Sequence, residues 1–262
     1  MEREEFFFAA DGTELRGTLN DAALNSGAGV VIAHGLTVDR EEDGVFTNLA
    51  NELAGAGLSS FRFDFRGHGK SGGRSEDMTV AGEALDLAAA LDWAREKGFK
   101  RMGLVAASFA GASTSLIVPI RPEVGALVMW NAVVDFAPIF SPDNPDAREF
   151  WNGARETARK NGFVETGPGK FRLGRALMEE MGTFRPADLF AGLKLPVLFI
   201  HGDIDALVPW PASAALAERI PGAVFKTLAG AGHGFHGEKD MKEACRLAVE
   251  FLSANLRTAE IR

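Results

Sequence analysis

The chain of 262 residues contains no tyrosine, no glutamine and a single cysteine, Cys245. One cysteine cannot close an internal disulfide, which fits a reducing compartment and sets the expectation of a cytoplasmic protein. The missing residues remove Tyr hydroxyls and Gln amides from any mechanism. No apolar run approaches the length of a membrane span, and Met1-Glu2-Arg3-Glu4-Glu5 is charged where a secretory signal would be apolar. No membrane partner is expected. The net charge is −8, with no dense basic cluster, so no nucleic-acid partner is expected either. Internal repeats and low-complexity tracts are also missing.

What is present is a hydrophobic content of 46%, enough for one large domain with a sizeable core. Glu4 to Ala9 and Thr13 to Leu19 read as strands joined at Asp11-Gly12, a leading antiparallel hairpin. Val30-Val31-Ile32-Ala33 is continuously apolar, as in a parallel strand covered on both faces. Strands then alternate with helices. A helix is predicted over about Gly44–Ala56, a strand over Leu58–Phe65, a helix over Thr79–Lys97 and a strand closing at Leu104-Val105. Another strand is predicted over Val124–Val134. Residues 135–193 break the alternation: they are richer in Pro, Gly, Asn and charge, yet carry Phe136, Ile139, Phe140, Phe150, Trp151, Phe163, Phe171 and Phe184. They read as a cap inserted into a core formed by residues 1–134 and 194–262; the alternative is a set of peripheral helices. Alternation resumes with a strand at Pro196–Ile200, a helix at Pro211–Ile220, a strand at Ala223–Leu228 and a final helix at Glu238–Leu256. Such a chain folds as an α/β protein with a mostly parallel sheet, and function collects at the carboxyl ends of its strands.

Ser108 lies where a buried strand turns into a helix, flanked by Ala106, Ala107, Ala110 and Gly111. A serine on such a turn is pushed out above the sheet, next to the free N–H groups of a helix N-terminus. Read alone, it could equally be a serine capping a core helix. As a nucleophile it needs a base, and the base needs an acid to orient it. Gly230-Ala231-Gly232-His233-Gly234-Phe235-His236 offers two histidines; His233, nearer the strand end and among the glycines, is preferred over His236. His201-Gly202-Asp203-Ile204-Asp205 offers two acids. One could hold the histidine while the other caps the turn; Asp205 is preferred, with Asp135 a third choice.

His233 and His236 have an H-x-x-H spacing, but no further ligands cluster with them, so neither a metal nor another cofactor is expected. Gly69-Lys70-Ser71 suggests a phosphate loop, yet a Walker pattern needs glycine where Asp64 stands.

The order Ser108, Asp205, His233 is the nucleophile–acid–base order of α/β-hydrolases. His34-Gly35 after a strand, Asp64-Phe65-Arg66-Gly67-His68-Gly69-Lys70-Ser71, His201-Gly202-x-x-Asp205-x-x-Val208-Pro209 and Gly230-x-Gly232-His233-Gly234-Phe235 all resemble that superfamily, over nearly the whole chain. Glu4 to Leu19, His34-Gly35-Leu36-Thr37 and the compact cap look most similar to the small carboxylesterases that include cinnamoyl and feruloyl esterases. The resemblance implies an α/β-hydrolase fold, with an eight-stranded sheet covered by helices on both faces. It implies oxyanion donors at the backbone N–H groups of Leu36 and Phe109, and supports Asp205 as the acid. His34 is expected only to shape its loop. The serine argues against the dehalogenase and epoxide hydrolase branches, which use an aspartate there. The departures are two: both elbow glycines are alanine, Ala106 and Ala110, and the residue after the serine is the apolar Phe109.

The resulting expectation is a serine carboxylesterase acting on small esters through an acyl-enzyme on Ser108. Activity should rise with pH as His233 loses its proton, typically near 6–7. The cap aromatics suggest an aromatic or medium apolar acyl group, or simply fasten the cap to the core. A thioesterase or acyltransferase on the same triad, and a non-catalytic small-molecule receptor on the same fold, are the alternatives.

Overall fold

The computed structural model describes residues 2–22, 27–140, 145–167 and 170–256. Strand β1 (Glu2–Phe8) alternates with period two, so Phe7 is buried while Phe6 and Phe8 face outward. It pairs antiparallel with β2 (Glu14–Asn20), across a turn in which Asp11 accepts the Thr13 N–H at 3.1 Å. The sheet continues with β3 (Ala28–Ala33), β4 (Ser59–Phe63), β5 (Arg101–Ala107) and β6 (Val124–Trp130). Two short strands, β7 (Phe163–Thr166) and β8 (Phe171–Gly174), form a separate hairpin. Strands β9 (Val197–Gly202) and β10 (Val224–Leu228) complete the main sheet, whose eight strands run in the order β1-β2-β4-β3-β5-β6-β9-β10. Strand β2 alone runs against the rest, antiparallel to both β1 and β4; every pairing from β4 to β10 is parallel.

Successive residues of the central strands feed opposite faces. Val31, Leu104 and Leu127 pack on one side with Leu87, Leu91 and Ala94 of α2 (Val80–Glu96). Ile32, Val105 and Val128 pack on the other with Phe46, Leu49 and Leu53 of α1 (Val45–Gly55) and with residues of the C-terminal helix. Thr79 starts α2 by accepting the Gly82 N–H at 2.9 Å. Helix α3 (Ala110–Ile117) follows β5 directly.

The strand expected to reach Val134 stops at Trp130. Asn131 takes a left-handed conformation (φ 45°), which no strand can continue through. The chain then forms α4 (Pro145–Asn161), the β7–β8 hairpin, α5 (Arg175–Thr183) and α6 (Pro186–Leu189) before returning at β9. Phe136, Ile139, Ala154, Leu173, Leu177 and Met181 of this stretch share a buried cluster with Phe109 and Val208 of the main body. Phe140 and Phe150, named above among the cap aromatics, lie outside the residues whose side chains are described. Helices α7 (Trp210–Arg219) and α8 (Glu238–Leu256) close the fold. Among the described residues no helix is long and apolar enough to cross a membrane.

Candidate active site

Ser108 stands between β5 and α3 with φ 50°, a left-handed conformation that costs a non-glycine residue about 1–3 kcal/mol. Three hydrogen bonds hold it there. Its N–H donates to Trp130 O at 2.9 Å, and its carbonyl accepts the N–H groups of Gly111 at 3.0 Å and Val133 at 2.7 Å. The alanines at 106 and 110 are fully buried, so the turn accepts a methyl group at both positions. The crowding lies at Gly111 instead, where a Cβ would come within 2.8 Å of Ala132 Cβ and of Val133 O.

His233 follows β10 and turns its ring toward Ser108, with Nε2 2.9 Å from Ser108 Oγ. Its Nδ1 lies 2.8 Å from Asp205 Oδ2. Facing a carboxylate, Nδ1 carries the ring proton, which leaves Nε2 free to accept the serine hydroxyl. Asp205 also accepts the N–H groups of Leu207 at 3.0 Å and Val208 at 2.8 Å. Burial pushes its carboxyl up, but the hydrogen bonds from His201 and His233, helped by the charge of His233, win and hold it at about 2. This carboxylate stays ionised at any pH where the protein is useful.

The rival residues have other employment. Asp203 accepts the Gly230 N–H at 2.6 Å and so fixes the turn that launches the His233 loop. Asp135 accepts the Ala137 N–H at 2.9 Å. His236 is exposed at the cavity rim and takes no part in the relay. His34 is buried; its Nε2 accepts the Phe65 N–H at 3.0 Å, so its protonated Nδ1 donates to Gly35 O at 2.7 Å. Burial pushes its pKa down to about 4, which keeps the ring neutral. In the loop after β4, the Asp64 carboxylate accepts the N–H groups of Arg40 and Lys70, each at 2.8 Å, and the Arg40 guanidinium at 2.6 Å. The loop therefore wraps a carboxylate of its own, where a phosphate loop would keep its amides free.

Three contributors had no role assigned from the sequence. His201 Nε2 lies 2.8 Å from Val208 O and 3.4 Å from Asp205 Oδ2. Asn131 accepts the Gly202 N–H at 3.2 Å and donates to Gly232 O at 3.3 Å, tying the acid loop to the histidine loop. Glu42 is buried beside the cavity, and its Oε2 accepts the Gly35 N–H at 3.0 Å.

The relay opens into a cavity of about 500 Å³. Leu36, Phe109, Val133, Leu207 and Val208 wall it from the main body, and Ile139, Trp151, Thr166, Leu173 and Met181 from the stretch between β6 and β9. Of the expected cap aromatics with described side chains, Trp151 alone lines it. Phe136 and Phe171 pack elsewhere, against Phe109 and His68. Among the described residues no lysine or arginine lines the cavity. Leu36 and Phe109 line it beside Ser108, and among the described residues neither backbone N–H donates a hydrogen bond. No group of three or more metal-ligating side chains occurs among those residues.

A strained serine, an imidazole at hydrogen-bond distance and an ionised carboxylate behind it, at the carboxyl edge of a parallel sheet, define the hydrolase class of α/β proteins. Residues 30–246 match the model of the alpha/beta hydrolase family, and the chain belongs to that family. A monoacylglycerol lipase of Mycolicibacterium smegmatis is 27% identical over 215 residues, covering 73% of this chain and 75% of the relative. Among solved structures, ferulic acid-bound Est1E from Butyrivibrio proteoclasticus superposes with a TM-score of 0.78 at 22% identity, covering 96% of this chain and 98% of that one. The Pyrococcus furiosus esterase PF2001 gives 0.76 at 20% identity, over 98% and 92%. At these identities the two structures speak for the fold.

Proposed function

We propose that this protein is a serine carboxylesterase that hydrolyses small, uncharged carboxylic esters through an acyl-enzyme on Ser108. The observation that carries the reading is the unbroken chain from Ser108 Oγ through the His233 ring to Asp205, at 2.9 and 2.8 Å. In the first step Ser108 Oγ attacks the acyl carbonyl carbon while His233 Nε2 takes its proton. The imidazolium is stabilised by Asp205. The carbonyl oxygen becomes an oxyanion facing the N–H groups of Leu36 and Phe109, each such donor being worth about 2.7–4 kcal/mol. Collapse expels the alcohol, which takes the proton from His233. Water then repeats the sequence: it gives its proton to His233, attacks the acyl carbon, and the carboxylic acid leaves as Ser108 recovers the proton.

The walls favour an ester over a coenzyme A thioester. A nucleotide-bearing thioester carries phosphates, and no cation lines this cavity among the described residues. The apolar lining suits an aliphatic or aromatic acyl group, with Trp151 the cap residue placed to contact it. In this reading residues 135–193 act as the cap and residues 1–134 and 194–262 as the core. The esterase and lipase names of the similar proteins point the same way.

The test is Ser108→Ala. It should abolish p-nitrophenyl acetate hydrolysis and fluorophosphonate labelling while leaving thermal unfolding unchanged. Unchanged turnover would falsify the assignment. Comparing aryl esters, alkyl esters and an acyl-CoA on the intact protein separates the esterase from the thioesterase.

A further inference from the structure

One buried carboxyl at the cavity wall has no part in that proton relay. Glu42 lies on the loop between β3 and α1, 7% exposed. It occupies a charged run, Asp39-Arg40-Glu41-Glu42-Asp43, that would ordinarily point into water. Instead the backbone bends into strained left-handed conformations at Glu42 (φ 47°) and Asp43 (φ 53°), and Glu42 turns inward. Among the described residues no cation pairs with it. Burial, with Asp43 and Asp39 adding to it, outweighs the Gly35 hydrogen bond and the attraction of His233, and pushes its carboxyl up to about 7. The other titratable groups lining the cavity among the described residues are His233 and His236.

What Glu42 holds is the backbone of Gly35. That residue presses against the nucleophile: a Cβ there would lie 2.9 Å from Ser108 Cβ, 3.4 Å from Ser108 Oγ and 3.5 Å from Glu42 Oε1. It must be glycine, and glycine is the residue with most freedom to wander. Two hydrogen bonds remove that freedom. Glu42 Oε2 takes the Gly35 N–H at 3.0 Å, and His34 Nδ1–H gives to the Gly35 carbonyl at 2.7 Å. The second carbonyl shares a planar trans peptide with the Leu36 N–H, so fixing the oxygen on one side aims the N–H on the other. Fixing both flanking peptides leaves φ and ψ of Gly35 no slack.

We propose that Glu42 is a positioning residue for the oxyanion: its carboxyl clamps Gly35 so that the Leu36 N–H faces the atom on which negative charge develops. This rests on the esterase reading above. A displacement near 1 Å in such a constellation costs about 100-fold in rate.

The experiment compares Glu42→Met, similar in length but without an acceptor oxygen, with Glu42→Gln, which keeps one. Wild-type turnover and its loss in Ser108→Ala first establish the esterase reading by themselves. The Met variant should then lose ten- to a hundredfold in kcat with KM within threefold. It should lose the same factor in affinity for a trifluoromethyl ketone, which forms a tetrahedral adduct on serine. Affinity for the corresponding secondary alcohol, which has no carbonyl to form the adduct, should not change. The Gln variant should stay within threefold of wild type in every measure. Wild-type kcat in the Met variant overturns the proposal, as does a loss confined to KM, or a Gln variant as impaired as the Met one. If the Met variant does not fold, the Gln comparison against wild type still decides between acceptor and charge.

Discussion

Asp205, hydrogen-bonded behind the His233 ring, and Glu42, on the cavity wall, are both buried carboxyls, yet their environments drive them apart, to about 2 and about 7. Asp205 is surrounded by donors: two histidine rings and two backbone N–H groups. Among the described residues Glu42 receives one, from Gly35. Desolvation acts on both, and the number of partners decides the outcome. A well-partnered carboxyl is a permanent anion suited to holding an imidazolium. A poorly partnered one, pushed up to about 7, is half protonated near neutrality and so carries less negative charge than an ordinary carboxylate would. In the mechanism proposed above the separation divides two roles, charge behind the histidine and a weakly charged clasp on Gly35.

The sharpest way to break this contrast is Asp205→Asn. It keeps the shape but supplies an amide where His233 Nδ1 needs an acceptor anion, and kcat should fall roughly 10⁴-fold. A fall below tenfold in steady-state hydrolysis would mean that Asp205 is a bystander. A second, smaller effect concerns stability. Glu42 has a folded pKa raised above its unfolded value, so its contribution is fully present below about 4.5 and is lost as pH rises through about 7. Urea unfolding should therefore show wild type losing on the order of 3 kcal/mol relative to Glu42→Gln between pH 4.5 and 8. Parallel curves for the two proteins would remove the contrast. Asp205 has the opposite sign. Its folded pKa is depressed, so its contribution is present above about 3.8 and is lost as pH falls through about 2, by roughly 2 kcal/mol.

The parts of the site legible in the sequence are those with local punctuation. Ser108 announces itself by small neighbours at a strand-to-helix junction, and His233 by the glycines around it. Asp205 is preferred over Asp203 with the support of the His201-Gly202-x-x-Asp205 resemblance, since position alone does not separate two acids that follow the same strand. Their difference lies in what each reaches, the His233 ring or the Gly230 turn. Asn131 was invisible because its role depends on a left-handed φ and on two loops distant in the chain. That same φ ends β6 before Val134. Glu42 was hidden by its company: four charged neighbours read as a wetted surface, and only the strained backbone turns it inward. Between residues 135 and 193, composition could not tell a Phe that packs from a Trp that lines the cavity, since burial alone selects both.

The position of Trp151 has a spectroscopic consequence. With no tyrosine in the chain, ultraviolet emission comes from four indoles. Trp93 and Trp130 are buried in the sheet layers, and Trp210 is partly open to solvent. Trp151 alone among them borders the cavity. Filling that cavity with a non-hydrolysable ester analogue should change the fluorescence, and Trp151→Phe should silence the response. The protein thus carries its own reporter of occupancy, readable by titration without any label.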